Sequence, residues 1–327
     1  MKCTCIALAA AIVVAGCGRQ ASQTAPRVAP VVAQLSATPA NYVAPTPDRI
    51  PEALPPLPAG DHIRVNLVLL DKTVAIAPDE NYHAWTFNGT VPGPVIHARV
   101  GDTIDVTLTN KARIGHSIDF HAALAPADVA YQTIMPGQTL RFSWVAAYPG
   151  AFEYHCGTPP VLAHISNGMY GAIIVDPPGG WGAPATSYVL VQSEFYPAIV
   201  PGTLDQFAGD LAKMKSGVAD VVTFNGKAFR YKDNPLAIVV DRPVRLFVVD
   251  AGPSHFSAFH VVGTIFSRVL MDGNPRNALY GIQTASIPPG GGAVVEFTPR
   301  QAGAYPFLSH SFGDADSGAM GTFAASD

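Results

Sequence analysis

From about residue 62 onward, short apolar and β-branched runs alternate with Gly/Pro turns. The runs cover 63–70, 103–108, 139–144, 171–175, 187–191, 236–240, 244–249 and 293–297. Between them stand turn signals such as Pro92-Gly93, Pro136-Gly137, Pro149-Gly150 and the stretch from Pro288 to Gly292. Short strands separated by turn residues at this spacing predict all-β sandwiches. Only 203–216 carries a helical pattern.

The chain also repeats itself. Trp85-Thr86-Phe87-Asn88-Gly89 returns as Val222-Thr223-Phe224-Asn225-Gly226, and Gly150-Ala151-Phe152 as Gly303-Ala304-Tyr305. Gln132 to Gly137 returns as Gln283 to Gly290, and Gly168-Met169-Tyr170-Gly171 as Gly318-Ala319-Met320-Gly321. His116 and His121 return as His255 and His260 at the same spacing. The offset is a whole domain, so a duplicated sandwich is predicted rather than a solenoid. Two domains suit a length of 327 residues, and the expected cut follows Pro177-Pro178. Domains are therefore expected at 61–178 and 179–327.

The N-terminus reads differently. A basic start and an apolar run from Ile6 to Val14 make a signal peptide, too short to span a bilayer permanently. The run ends in Val14-Ala15-Gly16-Cys17, which looks like a bacterial lipobox, with residues 1–16 removed and Cys17 carrying a lipid. Gly18 follows instead of Asp, which favours the outer membrane, facing the periplasm or the cell surface. Residues 17–60 hold nine prolines between Pro26 and Pro58. They are expected to form a disordered Pro/Ala-rich tether. Membrane attachment is expected through the lipid alone.

Composition narrows the function. Hydrophobic residues make up 48% and charged residues 13%, enough for large cores. Net charge is −4 with no Lys/Arg-rich run, so no nucleic-acid surface is expected. Of four cysteines, Cys3 and Cys5 leave with the signal and Cys17 is lipidated. Cys156 is left alone, and a lone cysteine in an exported protein needs a reason.

That reason lies around it. Cys156 is followed after seven residues by His164 and after four more by Met169, with His116 upstream. Two imidazoles, a thiolate and a weak thioether suit a blue electron-transfer copper. The leftover histidines, His121, His155, His260 and His310, suit an all-imidazole copper open to an exogenous ligand. His155 adjoins Cys156, so one peptide unit would link the two metals.

Four segments carry a family resemblance. They are His116-Ser117-Ile118-Asp119-Phe120-His121, the run from Tyr154-His155-Cys156 to His164 and Met169-Tyr170-Gly171, Phe259 to Phe266, and Ser309-His310-Ser311-Phe312. Together they resemble copper-containing nitrite reductases, most closely the lipoprotein-type branch, over roughly residues 62–327. The resemblance implies two tandem cupredoxin-like Greek-key β-sandwich domains with about two coppers per chain. It implies type 1 copper on His116, Cys156, His164 and Met169, and type 2 copper on His121, His155 and His310. It further implies Asp119 and His260 as the proton-delivering pair and Val262 as an apolar residue over the substrate pocket. Nitrite is the implied substrate. The implied partners are a small electron donor, either a c-type cytochrome or a cupredoxin, and further copies in a homotrimer with a shared type 2 site.

The segment 311–318 departs from that pattern: it is shorter and carries Asp314 and Asp316. His255 has no Cys or Met partner and reads as a leftover of duplication or an ordinary polar residue, while His62, His83 and His97 read as structural or surface residues. Two alternatives stand beside the nitrite reductase. A laccase-like oxidase would need a trinuclear cluster, usually built from His-x-His pairs, and none occurs among the ten histidines. A plain blue-copper carrier would explain Cys156 but leave four histidines without a common purpose.

Overall fold

A computed structural model of the chain describes residues 28–38 and 52–327. The lipobox and Cys17 lie outside the described residues. The runs predicted as strands form two β-sandwiches. In the first, a seven-stranded sheet containing His62–Ala77, Glu80–Phe87, Thr103–Asn110 and Gln138–Val145 accompanies a four-stranded sheet of Ile96–Arg99, Asp119–Phe120, Gly150–His155 and Tyr170–Asp176. In the second, a six-stranded sheet built around Thr186–Phe195, Val244–Asp250 and Gly291–Phe297 accompanies a five-stranded sheet built around Ser257–Val261, Gly303–Ser309 and Met320–Ser326.

Alternation sets which way the strands face. In Thr103–Asn110, Ile104, Val106 and Leu108 point inward to meet Leu67, Phe142 and Trp144. Tyr170–Asp176 and Val244–Asp250 are buried at every position. Their alternate side chains enter two cores. Ile173 and Val175 join the first sandwich's core, while Tyr170, Ala172 and Ile174 join a cluster shared with Val189, Phe195, Phe247 and Val294. Each large apolar side chain buried there contributes about 1.5–3 kcal/mol.

The duplication is visible in the turns. Asn88 and Asn225 both adopt a left-handed backbone, with φ of 58° and 57°. Asn88 Oδ1 accepts from Val68 N at 2.6 Å, and Asn225 Oδ1 from Val191 N at 2.8 Å. Asn tolerates the left-handed region and its amide replaces missing strand partners. Asn225→Ala should cost about 1–3 kcal/mol by orphaning the buried Val191 N–H. Urea unfolding checks this, and an unchanged midpoint would refute it.

Three expectations change. Of the helix predicted at 203–216, only Leu211–Ser216 is helical. Asp210 caps it, accepting from Ala212 N and Lys213 N, and Gly217 ends it in the left-handed region at φ 69°. Gln206–Gly209 is instead a strand, drawn into pairing with the sheet edge at Asn81 and Tyr82. The 17–60 tether is not structureless throughout, because Gln34–Ala37 pairs antiparallel with Gln138–Arg141. The Gln138–Val145 edge offers unpaired backbone groups that an extended segment satisfies. The proposed division at 178 is crossed by Gln206–Gly209, which comes from the second half and extends the first half's sheet.

The two sandwiches also meet backbone to backbone. A Cβ on Gly292 would strike the carbonyl oxygen of Ala151, and one on Gly226 that of Val91. Among the described residues, no helix is long and apolar enough to cross a membrane.

Candidate metal centres

Backbone pairing aims the first cluster. His116 exchanges both backbone hydrogen bonds with Ile134. Cys156 follows the Gly150–His155 strand directly, and His164 sits in the last turn of the Val161–Ser166 helix. The loop between them is tied at its base, with Cys156 N donating to Met169 O at 3.0 Å and Met169 N to His164 O at 3.2 Å. The described free cysteine is therefore buried beside two imidazoles. His164 Nδ1 lies 3.1 Å from Cys156 Sγ and 3.0 Å from His116 Nδ1. Met169 is fully buried in the same core as Cys156.

Three possible ligand atoms thus converge on one buried point. Burial pushes His116 down to about 3 and His164 down to about 4, favouring neutral rings whose lone pairs are free. Burial pushes the Cys156 thiol up. Ser117 opposes that by donating its backbone N–H to Sγ at 3.3 Å. Its hydroxyl accepts from Gly157 N and from Thr158 Oγ1, which fixes the loop around the sulfur. Two imidazoles and a thiol converging in a dry site fit copper by donor chemistry.

Asp119, His121 and His155 make a second cluster. Asp119 and His155 are cross-strand neighbours in register, and His121 N donates to Glu153 O at 3.1 Å. His121 Nδ1 donates to Gly290 O at 3.0 Å, and His155 Nδ1 to Cys156 O at 3.1 Å. Both tautomers are thereby set, leaving two Nε2 lone pairs facing each other at 3.0 Å. Asp119 Oδ2 lies 3.9 Å from His155 Nε2. Such an arrangement also fits a metal ion, with a carboxylate at its side.

His310, His260 and Val262 are not brought to that cluster within the chain. His310 follows the Gly303–Ser309 strand, with its ring centroid 5.4 Å from that of His260. His260 Nδ1 donates to Gln283 O at 2.6 Å. Val262 is 43% exposed, and exposed Ile265 and Phe312 stand near it in sequence and beside His310. His310 itself is exposed.

The remaining histidines take structural roles. His62 bonds Asp105 at the surface, and His83 lies 3.4 Å from the Thr73 hydroxyl. His97 is buried between Pro55 O and Asp176. His255 has Asp314 Oδ1 at 2.7 Å and Gly217 O at 2.7 Å. Its hydrogen bond to Asp314 raises it to about 9, with Glu194 adding to the effect and burial opposing it. A folded value above the unfolded one, about 6.5, means the stabilisation is complete below about pH 6.5. It is lost as pH rises through about 9. The melting temperature of the wild type should therefore fall across that window relative to His255→Gln, and parallel curves would refute the pairing.

Several residues escaped the sequence pattern. Trp85 lies against both imidazoles of the first cluster, at 4.8 Å from His164 and 5.6 Å from His116. The repeat offered a signal, since its second copy has Val222 there. Ser117 and the Gly290 carbonyl carried no signal. Glu153 is buried, and desolvation followed by Asp250 pushes its carboxyl well up.

Sandwich architecture and a Cys/His cluster joined by a single peptide unit to a two-His, one-Asp cluster define a two-domain multicopper protein of the cupredoxin type. A multicopper oxidase family model matches residues 70–180. The copper-containing nitrite reductase of Neisseria meningitidis serogroup B is 36% identical over 264 residues, covering 79% of this chain and 67% of that one. The copper-containing nitrite reductase of Alcaligenes xylosoxydans xylosoxydans is 31% identical, covering 75% and 80%. The solved copper nitrite reductase of Nitrosomonas europaea superposes with a TM-score of 0.76 at 35% identity, covering 81% and 94%. A solved multicopper oxidase superposes at 0.72 with 26% identity. The chain belongs to the copper-containing nitrite reductase family.

Proposed function

We propose that the chain reduces nitrite to nitric oxide and water, consuming one electron and two protons. The carrying observation is the adjacency of His155 and Cys156, whose side chains enter different clusters. In this reading His116, Cys156, His164 and Met169 hold type 1 copper. His121 and His155 hold type 2 copper with His310 as third ligand. Bound copper would supply a one-electron carrier at the first centre and a Lewis acid for a nitrite oxygen at the second.

The chain's own groups do the rest. Cys156 and His155 are joined by one peptide bond, and His155 Nδ1 also donates to the carbonyl of Cys156, so a short bonded route and a hydrogen bond link the clusters. Asp119 is placed to hold a proton toward an oxygen beside His155 Nε2. His260 is anchored through Nδ1 to Gln283 O, which leaves Nε2 free to pass the second proton. Val262 would give the substrate pocket an apolar wall.

Because His310 stands with His260 and apart from His121 and His155, a second copy supplying His310 accounts for the geometry. This supports a homotrimer with shared sites. The N-terminal pattern supports export, attachment through Cys17 and an outer-membrane location, with 1–16 as signal. The proposed domains are 61–178 and 179–327, with Pro197–Ile199 and Gln206–Gly209 of the second half extending the first half's sheet. A c-type cytochrome or a cupredoxin is the proposed donor.

The absence of any His-x-His pair among the ten histidines argues against a laccase-like oxidase. The test is nitric oxide production from nitrite with an artificial reductant, alongside copper counting. Two coppers per chain with turnover is the expected result. One copper without turnover leaves only an electron carrier.

A further inference from the structure

In the second sandwich the place of the first cluster is filled by something else. Backbone bonds fix the correspondence. Cys156 N donates to Met169 O, and Ser309 N to Ala319 O at 3.1 Å. Met169 N donates to His164 O, and Ala319 N to Asp314 O at 2.9 Å. With His255 opposite His116 in the repeat, the quartet His116, Cys156, His164, Met169 maps onto His255, Ser309, Asp314, Ala319. We propose that His255 and Asp314 are positioning residues for the second metal centre, forming a hydrogen-bonded pin, in the duplicate of the first copper site, that holds His310 beside His260.

The donor directions are reversed between the two copies. In the first, two imidazoles and a thiol converge as a possible ligand set for a cation. In the second, His255 donates from both ring nitrogens, to Asp314 Oδ1 and Gly217 O. No lone pair is left for a metal, and Ala319 offers no sulfur. The Ser309 hydroxyl donates to Asp314 Oδ2 at 3.3 Å, so the carboxylate is held from both sides. Glu194 Oε1 accepts the backbone N–H groups of Ser254 and His255 and clamps that loop as well. A proton-mediated link stands where the other copy has metal ligands.

This link runs straight to His310. Asp314 lies on the short Phe312–Asp316 helix that follows it. Ser309 Oγ also accepts from Ala258 N at 3.4 Å, and His310 N donates to Ala258 O at 2.7 Å. Ala258 is on the Ser257–Val261 strand that carries His260. The pin thus closes the turn after His310 onto the loop entering His260's strand. It explains why segment 311–318 carries Asp314: the residue replaces a metal ligand and takes over its job of tying the loop.

The inference rests on the proposed role of His310. Asp314→Ala, Asp314→Asn and Asp314→Glu should be compared with wild type in the copper-loaded full protein. The readouts are copper per folded chain, the visible absorption of the first centre, the electron paramagnetic resonance signal of the second, and kcat and KM for nitrite. Asp314→Ala and Asp314→Asn should keep the colour. They should hold the second copper roughly 10- to 100-fold more weakly, the effect of losing an outer partner of a metal ligand, and shift its resonance signal. Asp314→Glu should restore both. If Asp314→Ala fails to fold, Asp314→Asn, of the same size, decides on the same readouts. A variant that melts earlier yet keeps the second copper with a wild-type signal overturns the positioning role. A wild type with one copper and no turnover overturns the nitrite-reductase reading itself, and is told apart by appearing before any substitution.

Discussion

Replacing His310 with Ala should abolish nitrite turnover and halve the copper content while leaving the protein's blue or green colour intact. His121 and His155 present two Nε2 atoms 3.0 Å apart, and a catalytic metal site of this kind needs a third protein ligand. Losing the metal removes several kcal/mol of charge stabilisation, so activity should fall by about 10³-fold or more. The first cluster is buried and shares none of its donors with His310, so its absorption should not change. The placement of His310 beside His260 adds a sharper test. Mixing His310→Ala chains with His155→Ala chains should restore part of the activity if the third ligand crosses between copies. Mixtures as inactive as their components would place the whole site within one chain, and full turnover by His310→Ala alone would remove His310 from the site.

Asp119→Asn should lower kcat by roughly 10²–10⁴-fold with both coppers retained. The substitution keeps size and a hydrogen-bonding carbonyl but removes the group able to give up a proton. Asp119 stands opposite His155 in the strand register, with its Oδ2 3.9 Å from His155 Nε2, so its side chain lies at the edge of the proposed second copper site. KM for nitrite should change much less than kcat, since the lost interaction belongs to proton delivery. Loss of the second copper in this variant would show Asp119 to be a ligand instead, and an unchanged kcat would remove it from the chemistry.

The first cluster was legible because its chemistry is local. Cys156, His164 and Met169 bracket one loop, and their spacing alone announces a closing ligand set. His121 and His155 were legible for a related reason, since each lies a few residues from a residue of the first cluster. The separation of His310 from them was not. It depends on which edges of two sandwiches face outward, and only resemblance to a family suggested a shared site. Trp85 and the Gly290 carbonyl reach the clusters from remote positions, Gly290 by way of the other sandwich, and no periodicity encodes that. The Gln206–Gly209 strand hid inside a helix-like stretch because its partner, at Asn81 and Tyr82, supplies the pairing its own residues do not advertise. Gln34–Ala37 was masked by prolines on both sides, which read as tether until the open edge at Gln138–Arg141 is known. His255 looked like a remnant because its partner Asp314 has no counterpart in a metal-site vocabulary.

The close approach of Gly226 to Val91 and Gly292 to Ala151 bears on how substrate enters. Hinged domains open where few atoms cross between them. Here two main chains touch, and Gln206–Gly209 stitches one sandwich to the other's sheet. Breathing about that seam would have to break strand pairing and vacate a filled core, so nitrite access and product escape fall to side chains and loops at the rim. Crosslinking the halves should leave turnover untouched, for the machine has no jaws.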